Sequence, residues 1–147
     1  VYALKGAIDL GIAMQLTNIA RDVVEDEKRN RSYIKHDLGV IKEIIKIADT
    51  FYESSFVAIK YIPIISRFSI IVARRVYKKI GDNILKIENI EKYDNAGKIY
   101  VSNIAKVIET FLSLYDFIKL FFINSKRHLK EDEHAIINKE INLNERI

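Results

Sequence analysis

Residues 15–33, QLTNIARDVVEDEKRNRSY, decide how this chain is read. Placed on a helix, Gln15, Asn18, Asp22, Asp26 and Arg29 follow steps of three and four and form one polar stripe, with Glu25 beside it. Leu10, Ala13, Met14, Thr17, Ala20 and Val24 recur at the same spacing on an apolar side. The pattern predicts a single helix from residue 3 to about residue 29. Asp22 and Asp26 then lie one turn apart, where their carboxylates can share a hard divalent cation. Oxygen ligands with retained water suit Mg²⁺, which also takes phosphate oxygens. Asn18 adds a neutral carbonyl oxygen, and Gln15 can hydrogen-bond a phosphate or its water shell. Arg21, Arg29 and Arg31 offer forked donors to phosphate. Two Asp at this spacing on an arbitrary helix would be read as a solvated face. Amides, carboxylates and guanidinium groups aligned over several turns favour a ligand-binding face instead.

Outward from this stretch the chain reads as all-α. Residues 30–39, NRSYIKHDLG, break the pattern and are expected to form a loop. A second helix is predicted over residues 40–61, ended by Pro63. A third is predicted over residues 65–85. Residues 88–97 are polar and contain Asn95-Ala96-Gly97, which reads as a turn. A fourth helix is predicted over residues 103–124, with an apolar face of Ile104, Val107, Ile108, Phe111, Tyr115, Ile118 and Phe122. The charged remainder, residues 125–147, is expected to be a short helix and a frayed tail. No internal repeat, low-complexity tract or linker divides the chain.

Bulk composition agrees with helices. Of 147 residues, 49% are apolar and 30% charged, with one Pro and five Gly, a globular balance without strand-and-turn punctuation. No Cys occurs, which excludes disulfides and thiolate chemistry. The net charge of +4 is concentrated in residues 41–80, a surface open to anions, although a solvated helix face is the plainer reading. No nucleic-acid motif is present. Residues 111–123 are apolar but contain Asp116 and Lys119, and the stretch falls short of the ~20 apolar residues of a membrane span. The chain starts at Val1 directly inside a helical pattern, and a missing N-terminal part is expected.

Residues 11–39, GIAMQLTNIARDVVEDEKRNRSYIKHDLG, closely resemble the second aspartate-rich motif of the phytoene and squalene synthase family. The bacterial phytoene synthases are the nearest in character. Phe51-Tyr52 resembles the family's aromatic pair on the next helix. Ala73-Arg74-Arg75-Val76-Tyr77 with Ile80-Gly81 resembles the helix carrying an active-site Tyr. Tyr93-Asp94, residues 98–102 and Lys106 resemble a late segment where the family usually has Arg. The likeness covers about residues 3–110 of what would be one partial synthase domain over residues 1–147. Lys35 stands where a Pro is usual, and Lys98 where an Arg is usual.

The resemblance implies the C-terminal helices of the isoprenoid synthase fold. It implies Asn18, Asp22 and Asp26 as Mg²⁺ ligands, with Glu25 near the metal shell. Gln15, Arg21, Arg31, Tyr33 and Lys98 would contact diphosphate, and Tyr77 and Tyr52 would lie near the reacting carbons. Aromatic faces stabilise cations, but a Tyr that is merely packed with its hydroxyl satisfied reads the same in sequence. The implied activity is head-to-head condensation of two prenyl diphosphates, with geranylgeranyl diphosphate giving phytoene through a cyclopropyl diphosphate. NADPH would enter only for a squalene-type product, and no dinucleotide fingerprint occurs. The alternative is a non-catalytic assembly or binding protein, or an inactive fragment, of the same superfamily. The expected partners are prenyl diphosphates and a separate chain bearing the first aspartate-rich motif. The expected location is cytoplasmic, with peripheral contact at the inner membrane left open.

Overall fold

The computed structural model describes residues 2–123, so the expectations for residues 125–147 lie outside the described residues. The described residues contain helices and no strand. In order they are α1 (Tyr2–Arg21), α2 (Val23–Lys28), α3 (Leu38–Ala58), a 3-10 turn (Ile59–Tyr61), α4 (Ile64–Leu85), α5 (Ile90–Ala96) and α6 (Asn103–Phe122).

Local chemistry sets most boundaries. The Asp37 carboxylate accepts the Val40 N–H at 3.1 Å and starts α3. Pro63 stands at the start of α4, where its missing N–H costs nothing. The Ser102 hydroxyl accepts the Ala105 N–H at 3.2 Å and starts α6. Residues 88–97, expected to be a turn, instead contain α5. The Asn89 side chain caps it through the Lys92 N–H at 2.9 Å, and Gly97 ends it with φ of +60°.

The long predicted helix 3–29 is divided. Asp22 sits between α1 and α2 with φ −104° and ψ 14°. Its N–H still donates to the Asn18 carbonyl at 2.9 Å, and its carbonyl still accepts the Asp26 N–H at 2.8 Å. The chain bends here without losing those flanking hydrogen bonds.

α1 lies along α3, and small residues make the close approach possible. A Cβ added to Gly6 would come 2.1 Å from the Ala58 Cβ. Ala13, Thr17 and Ala20 face the interior with none of their surface exposed. One core cluster joins Ala20 and Val23 to Ile41, Ile45, Ile80, Ile84 and Tyr93. A second joins Ala13 to Ala48, Phe51 and Tyr52. Each large apolar side chain so buried contributes roughly 1.5–3 kcal/mol.

α6 is turned opposite to the expectation from its apolar periodicity. Ile104, Val107, Ile108, Phe111, Tyr115, Ile118 and Phe122 are exposed, whereas Glu109, Ser113, Asp116 and Leu120 are buried. Arg75 on α4 explains the choice. Its guanidinium donates to Glu109 at 2.9 Å and to Asp116 at 2.6 Å, satisfying two carboxylates two turns apart. These groups, with Glu53, Arg74 and Lys78, line a charged cleft of about 260 Å³ between α3, α4 and α6. Its cations and carboxylates pair with one another, which makes it a helix-to-helix seam. No described helix is long and apolar enough to cross a membrane.

Candidate functional site

The α1–α2 bend is the centre of the candidate site. Arg21 and Asp22 are adjacent in sequence, and neighbouring side chains on a regular helix do not face each other. At the bend they do. Arg21 Nε donates to Asp22 Oδ1 and Nη2 to Oδ2, both at 2.7 Å, in a forked pair with 13% and 18% of the side chains exposed. Burial pushes the Asp22 carboxyl up, but Arg21 and Lys98 together outweigh it and hold the group below the usual carboxylate range. The hydrogen bond to Asp22 in turn holds Arg21 above its ordinary value.

Lys98, just beyond α5, closes the site from above. Its ammonium lies 3.2 Å from Glu25 and 3.7 Å from Asp22. The Glu25 hydrogen bond and the Asp22 charge raise its pKa. Glu25 also takes Arg29 at 2.6 Å across one helical turn. Arg21, Asp22, Glu25, Lys28, Gly97 and Lys98 border a depression of about 210 Å³.

Asn18 stands one turn before Asp22. Its side-chain Oδ1 is buried and has no hydrogen-bond partner, a costly state for an amide oxygen. An orphaned acceptor one turn before a carboxylate is of the donor type that a hard cation takes. Among the described residues, no group of three acidic or histidine side chains is placed to hold a metal. Asp26 is the member of the predicted set that is set apart. The bend carries it to a different small depression, lined with Arg31, Tyr33 and Ile34. The single polar stripe expected from an unbroken helix is therefore divided at Asp22. Gln15, Arg31 and Tyr33 are exposed, Tyr33 with 62% of its surface free.

The two tyrosines come from neighbouring helices. Tyr52 on α3 is 1% exposed, and its hydroxyl lies 2.9 Å from Thr17 Oγ1. The Thr17 proton is donated to the Ala13 carbonyl at 2.9 Å. Tyr52 must therefore donate and Thr17 accept. Burial pushes the Tyr52 phenol up to about 12, which keeps it neutral. Tyr77 on α4 is partly buried against both core clusters, beside Tyr52 and near enough to Arg21 to raise its pKa.

α5 straps the bend from outside. Tyr93 is buried, its hydroxyl donates to the Ala20 carbonyl at 2.6 Å, and burial pushes the phenol up to about 12. His36 bridges Glu27 and Asp94 at 2.8 and 2.7 Å. Sequence reasoning missed Thr17 as the acceptor of Tyr52. The signal was present, since a Thr on an otherwise apolar face needs a polar partner. It also missed His36, a titratable ring inside a loop otherwise read only for Arg31 and Tyr33.

Along α1, the side bearing Asn18 continues toward the N-terminus as Met14, Gly11, Ala7 and Ala3. These residues, with Leu10, Ile59, Ile62 and Ile70, line an apolar groove of about 250 Å³.

Residues 3–38 match the family model described as squalene/phytoene synthase. The chain is 32% identical over 104 residues to a 15-cis-phytoene synthase of Enterobacter agglomerans, covering 56% of this chain and 35% of that protein. It is 35% identical over 101 residues to a 15-cis-phytoene synthase of a Paracoccus species, covering 56% and 33%. Over these stretches the chain is similar to squalene/phytoene synthases. A bifunctional lycopene cyclase/phytoene synthase of Phycomyces blakesleeanus is 28% identical over 142 residues, covering 80% of this chain and 23% of that protein. The chain spans about a third of the length of the bacterial relatives. No solved structure matches it. The all-α architecture of the described residues matches the helical fold typical of the isoprenoid synthase superfamily.

Proposed function

We propose that this chain supplies one wall of a head-to-head prenyl diphosphate condensing site, of the kind that makes phytoene from geranylgeranyl diphosphate. The observation that carries the reading is the continuous side of α1. An apolar groove borders Ala3, Ala7, Gly11 and Met14, and a partnerless Asn18 oxygen and the Asp22 carboxylate follow along the same helix. An amphiphile with a prenyl tail and a diphosphate head matches that order of surfaces.

Mg²⁺, held by Asn18 and Asp22 with Glu25 beside them, would neutralise charge on a departing diphosphate. The chain's own residues prepare for this exchange. Asp22 and Arg21 neutralise each other, as do Glu25 and Lys98. Arg21 and Lys98, which now pair with these carboxylates, would be the donors to phosphate oxygens. Gln15, Arg31 and Tyr33 would contact the diphosphate by the family resemblance, with Arg31 and Tyr33 doing so from the neighbouring depression, which Asp26 also lines. Tyr77, beside Arg21, presents its ring where the tail leaves the head group, and Tyr52 backs it from the core.

The remaining wall, with its own aspartate-rich motif, would come from a segment or partner chain outside this sequence. The groove and the outward apolar face of α6 are where such helices would pack. The test is to join this chain to the part of the Enterobacter agglomerans enzyme outside the matched region, and to supply geranylgeranyl diphosphate and Mg²⁺. Phytoene or a cyclopropyl diphosphate is expected, and it should vanish with Asp22→Asn. A folded, Mg²⁺-binding chimera that leaves the substrate intact would overturn the proposal.

A further inference from the structure

The loop between α2 and α3 carries Arg31 and Tyr33, Ile34 packs on the core, and among the described residues its backbone hydrogen bonds are local. Arg31 N–H donates to the Asp26 carbonyl at 2.8 Å, Asn30 N–H to the Glu27 carbonyl at 3.0 Å, and Asp37 N–H to the Lys35 carbonyl at 2.9 Å. None of these ties the loop to another part of the fold. The His36 ring does. Its Nδ1 lies 2.8 Å from Glu27 Oε2 on α2, and its Nε2 lies 2.7 Å from Asp94 Oδ1 on α5.

Both ring nitrogens face carboxylate oxygens, which only accept. A neutral imidazole has one N–H and one lone pair, so it satisfies one carboxylate and opposes the other. Only the imidazolium donates to both. The titratable groups facing the ring are Glu27 from α2, and Asp94 and Tyr93 from α5, the last edge-on at 6.5 Å between ring centroids. Tyr93 stays neutral, its phenol pushed up to about 12. The adjacent Asp37 carboxylate is engaged in capping α3.

We propose that His36 is a positioning residue: protonated, it clips the Arg31–Tyr33 loop between α2 and α5, and deprotonation opens the clip by leaving the ring bonded to only one of the two helices. The hydrogen bond to Asp94, with a further one to Glu27, outweighs partial burial and raises the His36 pKa above its ordinary 6.5. A group whose folded pKa is raised contributes stability that is complete below the unfolded value. That contribution is lost as pH rises through the folded value. The clip is therefore shut below the ordinary histidine value and opens as the pH rises through the raised folded value. Its consequence for diphosphate binding rests on the function proposed above; the clip itself does not.

The test uses the full 147-residue chain. The His36 titration is followed by NMR, and amide-exchange protection factors are measured for residues 31–34 between about pH 5 and about pH 8. Wild type should titrate above 6.5 and lose loop protection several-fold as the pH rises. Asp94→Asn should move the titration down, and His36→Gln should remove protection at every pH. His36→Arg, permanently charged and able to reach two carboxylates, should restore protection and make it independent of pH. Wild-type titration at or below 6.5, or equal protection in wild type and His36→Gln throughout, overturns the clip. In a parallel arm with Mg²⁺ and inorganic pyrophosphate, the affinity ratio of wild type to His36→Gln should be largest in acid and approach unity in base. If pyrophosphate does not bind wild type at any pH, the proposed function fails, and the exchange data still decide the clip.

Discussion

Replacing Thr17 with Val should destabilise this chain more than replacing Tyr52 with Phe, although both remove the same hydrogen bond. The asymmetry follows from where the protons are. Thr17 donates to the Ala13 carbonyl, so the bond between the two side chains runs from Tyr52 to Thr17. Thr17→Val keeps the shape but leaves the Tyr52 hydroxyl buried, 1% exposed, with no acceptor. An orphaned buried donor costs about 1–3 kcal/mol. Tyr52→Phe removes that donor, and Thr17 keeps its bond to Ala13. The expected loss is then about 0.5–1.5 kcal/mol, that of an ordinary hydrogen bond. The double variant has no orphan, so its cost should fall back toward that of Tyr52→Phe alone, a non-additive cycle. Urea unfolding followed by far-ultraviolet circular dichroism gives all four stabilities. If Tyr52→Phe costs as much as Thr17→Val, or if the two effects simply add, the assigned direction of the bond is wrong.

Asp22→Asn should weaken Mg²⁺–pyrophosphate binding by on the order of tenfold with the helix content unchanged, because a carboxylate next to the partnerless Asn18 oxygen is lost; equal affinity by calorimetry would remove Asp22 from the metal site. Gly6→Ala should cost about 1–3 kcal/mol, because its Cβ would lie 2.1 Å from that of Ala58 and neither atom can rotate away. Ala58→Gly in the same chain should recover most of the loss, and the pair is read by thermal unfolding. The chain alone should make no phytoene from geranylgeranyl diphosphate and should self-associate through its exposed α6 face. Phe111→Glu with Ile118→Glu should reduce that association in sedimentation, and product formation by the chain alone would show that one wall suffices.

The positions of α3, α4 and α6 were legible because caps and breakers are local, while α5 was read as a turn. Asp37, Pro63 and Ser102 act on backbone within a few residues of themselves. The orientation of α6 was not legible. Periodicity shows that a helix has an apolar side, but not which side another helix will take. Here Arg75, some thirty to forty residues away, holds Glu109 and Asp116 inward, and the apolar side turns out. The bend at Asp22 was equally hidden, since neither Pro nor Gly marks it. It shows itself only in the Arg21–Asp22 fork, which a straight helix would not allow. The cost to the sequence reading was specific: Asp22 and Glu25 share a depression with Lys98, while Asp26 borders another.

What sets the directions of Asn18 and Asp22 is the packing on the other side of α1. Successive residues on a helix are about 100° apart, so a one-residue error in the rotation of α1 would re-aim Asn18 entirely. Gly6, Ala13, Thr17 and Ala20 prevent it. They are small enough for α3 to approach closely, and Gly6 against Ala58 leaves no room for even one more carbon. Thr17 adds a directional restraint, because its hydroxyl must meet the Tyr52 phenol. Tyr93 adds another at the helix end, where it donates to the Ala20 carbonyl. With α1 held at these points, Asn18 falls beside the core, its oxygen excluded from water but unpaired, and Asp22 falls at the bend under Lys98. The small-residue stripe and the polar stripe are therefore coupled, since close packing on one side of α1 sets the directions of Asn18 and Asp22 on the other.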